Sequence, residues 1–142
     1  APAIKPMMLA TIDYMERLKN GEAPSTPPLL HKNSTAAGYA QWINRADMKA
    51  PDEMDEIYVK IIGYSPEAST AIVWIKTMSP DEVHHDQHES FLILEGTCDI
   101  FIDGKINSLK PGDVLTIPLH ANHHVIVTSE IPCKVILERK AA

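Results

Sequence analysis

From Glu56 onward the chain is built of short runs rich in Val, Ile, Leu, Phe and Thr, parted by turn residues every eight to twelve positions. β-Branched and aromatic side chains suit the pleated surface of a strand, and turns at that interval leave no room for helices of ordinary length. Strands are therefore expected at 57–63, 70–78, 90–94, 97–103, 105–109, 114–117, 123–128 and 133–138. Asp103-Gly104 separates two of them and signals a hairpin, because both central positions of a type I′ turn need positive φ. Pro111-Gly112 marks another turn. Tight turns and short strands over about eighty-five residues predict an all-β fold, a small antiparallel sandwich or barrel whose closure protects its edges.

The first part of the chain has a different texture. Over 4–20, Ile4, Met8, Ile12, Met15 and Leu18 recur at spacings of three and four, which is one apolar stripe on a helix, and Gly21 supplies its stop. Residues 21–56 are rich in Pro, Ser, Asn and Ala, with Pro24, Pro27, Pro28 and Pro51, and show no sustained period. They read as an irregular arm with short structured pieces, among them a strand around 39–43. A stretch that long rarely stays loose in a compact domain, so it is expected to wrap the body of the protein or a partner subunit. The organisation expected is thus a helix and extended arm over 1–55 and a barrel over 56–142. A homodimer, with the helix or the 39–43 strand adding to the partner's sheet, would cover an open sheet edge.

Composition narrows the function. Of 142 residues, 44% are apolar and 23% charged, which is the make-up of an ordinary globular domain with a real core. The net charge is −6 and Lys and Arg are scattered without forming a cluster, so there is no basic face for nucleic acid. No apolar run is long enough to span a bilayer, and 4–20 is interrupted by Asp13, Glu16, Arg17 and Lys19, unlike a signal peptide. These features point to a cytoplasmic protein, off the membrane, with a small-molecule ligand. Cys98 and Cys133 each fall in a strand-like segment and read as reduced core thiols.

Six of the seven histidines fall in two groups, His84, His85 and His88 beside Glu89, then His120, His123 and His124. Neutral imidazole is the commonest metal ligand, and a neighbouring carboxylate adds charge and oxygen ligation. One divalent metal ion is expected, whether iron, manganese, nickel, copper or zinc. His31 lies apart, in the arm, and reads as a surface residue.

The same residues carry a family resemblance. Glu89, six intervening residues and Gly96 complete the second half of the first cupin motif, and Gly112, Pro118, His120 and His123 follow the spacing of the second. The chain resembles the cupin superfamily over roughly residues 56 to 140. That resemblance implies a single double-stranded β-helix, the jelly-roll barrel of the RmlC-like and cupin 2 type, usually dimeric, with one metal inside. It places Glu89 on the carboxylate ligand, where it would also move a proton, and His123 on the histidine of the second motif. The first motif usually opens with two histidines one residue apart, three or four residues before the glutamate. With three residues intervening, His85 takes the second histidine position and Val83 the first; with four, His84 takes it and Glu82 the first. The ligand set implied is His84 or His85 with Glu89 and His123, the other adjacent histidine completing it and Glu82 or His88 as substitutes. His120 stands where the second motif usually has glycine, so a role beside the ligands or at the cavity mouth is implied for it.

Strand alternation turns His124, and one of His84 and His85, away from the cavity that His123 faces. Tyr58, Trp74, Phe91 and Phe101 lie on expected strands, and those facing inward would give the cavity apolar walls; Trp42 and Trp74 read as core aromatics. Two or three histidines and one carboxylate leave open metal positions, which suits a metal-dependent enzyme such as a dioxygenase or an isomerase of a small organic molecule. The reading from another class is a non-catalytic module that captures a small ligand or senses a metal. Neither cysteine neighbours a motif histidine and no serine elbow is present, which argues against nucleophilic catalysis.

Overall fold

The structure, a computed structural model, describes residues 4–142 apart from the side chain of Ile4. Helix α1 (Ile4–Lys19) leads into an arm carrying a 3-10 turn (Ala36–Tyr39) that runs into a one-turn helix, α2 (Ala40–Ile43). Then come β1 (Ile57–Tyr64), β2 (Ala68–Ile75), β3 (Glu82–Val83), β4 (Gln87–Glu95), β5 (Cys98–Ile102), β6 (Lys105–Leu109), β7 (Val114–Ile117), β8 (Asn122–Val127) and β9 (Cys133–Ala141). They form two antiparallel sheets, ordered β1-β2-β9-β4-β7 and β3-β8-β5-β6, and pack as a jelly-roll barrel. The expected strands are all present, with ends moved by a few residues. Strand β3 is an addition, since two residues leave no periodic signal. Asp103 at φ 48° and Gly104 at φ 81° make the β5–β6 hairpin turn, closed by Ile102 opposite Lys105.

The five-stranded sheet is buried on both faces. Its inner face, with Val59, Ile61, Val73, Ile75, Phe91, Ile93, Val135 and Leu137, packs against Cys98, Ile100 and Val125 of the second sheet. Its outer face, with Ile62, Ile72, Trp74, Leu92 and Ile136, is covered by Tyr39, Trp42 and Met48 of the arm. Two covered faces explain why these strands read as continuous apolar runs rather than as alternation. Trp42 and Trp74 are thus core residues, as expected. The arm wraps its own barrel, and the strand expected at 39–43 is instead a helical turn. Tyr39 and Trp42 are large apolar anchors three residues apart, a spacing that puts both on one side of a helical turn and on opposite faces of a strand. Both side chains are buried on the chain's own outer sheet face.

Glu138 and Gly63 hold the arm in place. The Glu138 carboxylate, on the outer face of β9, accepts the Leu30 N–H at 2.6 Å, and the Tyr39 hydroxyl donates to the Pro28 carbonyl at 2.7 Å. Gly63 sits where the β1–β2 register shifts, and the arm crosses it so closely that Tyr64 N donates to Ser25 O at 3.2 Å. Helix α1 forms where expected but is turned about its axis. Ala10 and Tyr14, with Met7 and Leu18, pack on the inner core, whereas Met8, Ile12 and Met15 are more than half exposed, as is Leu9. This helix has two apolar stripes, and the one carrying Ala10 and Tyr14 is the one that packs.

A Cβ on Gly63 would lie 2.3 Å from Ser25 O and 2.5 Å from Pro27 Cδ. Gly63→Ala is expected to lower unfolding stability by about 2 kcal/mol or more. Gly38→Ala, whose Cβ meets nothing within 4 Å, should change it by less than about 1 kcal/mol, both read by urea denaturation.

Glu22 joins α1 to the arm, accepting Arg17 at 2.9 Å and Arg45 at 2.8 Å. The Arg17 hydrogen bonds, outweighing burial and helped by Arg45, hold its carboxyl at about 2, below the ordinary 4.5. A depressed folded-state value stabilises above the unfolded value and is lost as the pH falls from about 4.5 toward 2. Glu22→Gln should therefore destabilise by about 1–2 kcal/mol at pH 6, and the gap to wild type should close near pH 2 in urea titrations.

Candidate metal centre

Strand parity builds the centre of the barrel. On β4 the residues that share the inner face with Phe91 and Ile93 include Glu89; on β8, His123 faces in with Val125; on β9, Arg139 follows Val135 and Leu137. Glu89 and Arg139 are direct cross-strand partners. Glu82 on β3 sits opposite His123 on β8. His84 lies just past β3, in the link to β4.

These residues converge on one carboxylate. Glu89 is 4% exposed, and its Oε1 lies 3.0 Å from His123 Nε2. Its Oε2 accepts Arg139 Nε at 2.9 Å and lies 3.4 Å from His84 Nε2. His84 Nε2 is also 3.4 Å from Glu82 Oε2. Burial acts most strongly on Glu89 and pushes its carboxyl up, but the approach of His123 and His84 and the charge of Arg139 together outweigh it, holding the group well below the usual carboxylate range. The neighbouring carboxylate in turn raises His84 against its own burial. A carboxylate this deep would cost several kcal/mol without such partners.

Two buried imidazole nitrogens make no hydrogen bond: His84 Nε2, which stands 3.4 Å from both carboxylates, and His123 Nδ1 at the other edge of its ring. One donor atom from each of His84, Glu89 and His123 lies within 4.8 Å of the others. Two imidazoles and a carboxylate form a donor set for a divalent transition ion, and an ion would satisfy the unpartnered His84 nitrogen. These residues fit a metal. The cavity beside them has a volume of about 50 Å³ and is walled by Val59, Val73, Ile75, Phe91, Val125 and Leu137, with Met7 of α1 closing one side.

The other histidines lie elsewhere. His85 is exposed and meets His120 instead, Nδ1 to Nδ1 at 2.6 Å, so the two clusters touch twice, once inside at His84–His123 and once at the surface. His120 has φ 65°, keeping the left-handed backbone of the glycine it replaces, and its N–H donates to the His84 carbonyl at 2.8 Å. That bond helps hold the His84 link. His88 is half-buried, with a parity that puts it on the outer face opposite Lys140. His124 turns outward, pairs with Asp81 at 2.8 Å and stacks on Phe101. Of the four strand aromatics, Phe91 lines the cavity, while Tyr58 and Trp74 pack together on the outer face.

Reasoning from sequence missed Arg139. The signal was there in the alternation of β9, where Cys133, Val135, Leu137 and Arg139 share parity, but the expected strand stopped at 138. Spacing leaves His84 and His85 open; the structure turns His84 toward Glu89 and His85 out to His120, because the link at 84–86 is not strand.

Comparison with known proteins agrees with this geometry. Residues 71–137 match the family described as "Cupin domain", and the two sheets, the motif residues and the buried Glu89–His123 pair all lie in or beside that span. That match covers just under half of the chain, and over it the barrel is similar to the cupin family. An uncharacterized protein of Aquifex aeolicus is 32% identical over 78 residues, or 55% of this chain, which spans 64% of that relative's length. An RmlC-like cupin from Shewanella frigidimarina superimposes with a TM-score of 0.56 at 19% identity, over 68% of this chain and 86% of the other. A predicted oxalate decarboxylase from Thermotoga maritima gives 0.56 at 17%, over 61% and 81%. At those identities the likeness is one of fold. Among the described residues, no helix of this chain is long and apolar enough to cross a membrane.

Loss of the Glu89 charge leaves Arg139 without its counter-ion. Glu89→Gln in metal-free protein is expected to lower stability by about 2–4 kcal/mol. Asp81→Asn, which breaks only the surface pair with His124, should cost under about 1 kcal/mol; equal losses in thermal or urea unfolding would contradict the account of Glu89.

Proposed function

We propose that this chain holds one divalent metal ion on His84, Glu89 and His123 and acts there on a small organic molecule, as a dioxygenase or an isomerase. The observation that supports this most is the buried His84 Nε2 without a partner, facing Glu89 across 3.4 Å. Glu82 is placed to be a further donor or to hold a proton at its Oε2, 3.4 Å from the same nitrogen. A bound ion would supply Lewis-acid polarisation of an oxygen donor or, as iron, activation of dioxygen. The chain does the rest. Three protein ligands leave coordination positions open, the apolar walls keep bulk water from the reacting atoms, and Arg139 fixes the orientation of Glu89. Proton transfer falls to Glu89 and Glu82, the carboxylates that line the cavity.

A non-catalytic module is the second reading, and one observation favours it. Met7 of α1 lines the cavity, so a ligand inside would touch the helix that could report its presence.

The test is elemental analysis of untagged protein, with His123→Ala and Glu89→Ala as controls, after loading and extensive dialysis. About one equivalent of metal in wild type and little in either variant is expected. Iron or manganese that keeps exchangeable water supports the enzyme; zinc with every position filled by protein supports the sensing module. Wild type that retains no metal would remove the basis for the enzyme and leave a barrel that captures a small ligand.

A further inference from the structure

With an ion on His84, Glu89 and His123, the charges around the cavity do not balance. The ion brings two positive charges and Arg139 one, against the two negative charges of Glu89 and Glu82, while the histidines as ligands are neutral. One positive charge is left in a pocket otherwise lined by apolar side chains and by Ser79, whose hydroxyl oxygen accepts the Val125 N–H at 3.0 Å. A low-dielectric pocket with an uncompensated charge favours an anion.

Arg139 is the group equipped to receive it. A guanidinium carries five N–H donors in a planar fork matched to a carboxylate. Among the described residues its one hydrogen bond is from Nε to Glu89 Oε2, which leaves the terminal nitrogens unused. The side chain lines the cavity and is 20% exposed, so the guanidinium is neither sealed in the core nor free in solvent. Glu89, held between the ion site and Arg139, ties the two together at a fixed distance. A ligand with one oxygen toward the ion site and another toward the Arg139 fork would be gripped at both ends of a carboxylate. The volume of about 50 Å³ is room for on the order of three to five water-sized groups, the ion included, so the anion must be small.

We infer that Arg139 is the specificity-determining residue of this site and that the ligand is a small monocarboxylate, received by the Arg139 fork beside the metal. This rests on the metal-site reading above. Arg139 acts on the ligand directly and on the metal only through Glu89.

The experiment uses the full chain loaded with Co²⁺, whose visible spectrum reports both occupancy and ligand approach. Acetate and acetamide, which differ in charge but hardly in shape, are titrated into wild type, Arg139→Gln and Arg139→Lys. Acetate should perturb the wild-type spectrum and acetamide should not, at tenfold higher concentration. Arg139→Gln should still take up one equivalent of Co²⁺ but bind acetate at least tenfold more weakly; Arg139→Lys, with charge but no fork, should fall between them. Equal acetate affinity in wild type and Arg139→Gln, or acetamide binding as well as acetate, overturns the carboxylate assignment while leaving the metal site standing. If Arg139→Gln no longer loads Co²⁺, its bond to Glu89 accounts for that loss, and acetate affinity in Co²⁺-loaded Arg139→Lys then decides in the same way. If that variant fails to fold, Arg139→Lys decides, and unchanged acetate affinity there overturns it. A wild type that takes up no Co²⁺ sinks the metal reading and the carboxylate assignment together.

Discussion

Strand β9 lies between β2 and β4 with one face on the barrel interior and the other beneath the arm, and that double burial governs the molecule. A strand covered on both sides has no solvent face to which polar residues can retreat, so each polar side chain on it must find a partner. Glu138 does so on the outer face by accepting the Leu30 N–H, which fixes the arm. Arg139 does so on the inner face by donating to Glu89, which fixes the site. Adjacent residues of one strand thus anchor the two halves of the architecture. The arm is therefore part of the fold, since without it Ile62, Ile72, Trp74, Leu92 and Ile136 would be an exposed apolar sheet.

The centre follows the same economy of polar groups. A carboxylate at the bottom of an apolar barrel is stable only where cationic or metal partners surround it, and Glu89 has two imidazoles and a guanidinium within hydrogen-bonding or ion-pairing distance. Preorganisation comes from strands rather than loops: Glu89, His123 and Arg139 are each held by ladder hydrogen bonds, and His84 alone sits on a link, tied by the His120 N–H to its carbonyl. The left-handed backbone of His120 is tolerated because that bond is made there.

Much of this was legible from residues alone. Strand texture and the Asp103-Gly104 turn located the sheets, because runs of β-branched and aromatic residues and a demand for positive φ are local properties. Glu89 and His123 were legible because strand parity and motif spacing are local as well. The misses share another cause. The face of α1, the helical turn at Tyr39 and the choice of His84 over His85 depend on what lies opposite, and local periodicity offered two solutions for each. Arg139 was within reach of parity, but a charged residue just beyond an apolar run reads as solvent-facing unless the strand is known to continue.

The sequence by itself determined the all-β class, the positions of most strands and the identity of the residues able to bind a metal, since these depend on side-chain chemistry and spacing along a few neighbouring positions. Tertiary structure alone decided which of those residues meet. It put Glu89 of β4, His123 of β8 and Arg139 of β9 around one cavity, sent His85 to the surface with His120, and laid the arm over the outer sheet. Contacts between residues 34 to 50 positions apart form because two sheets close on each other, and no local pattern encodes the register in which they do so.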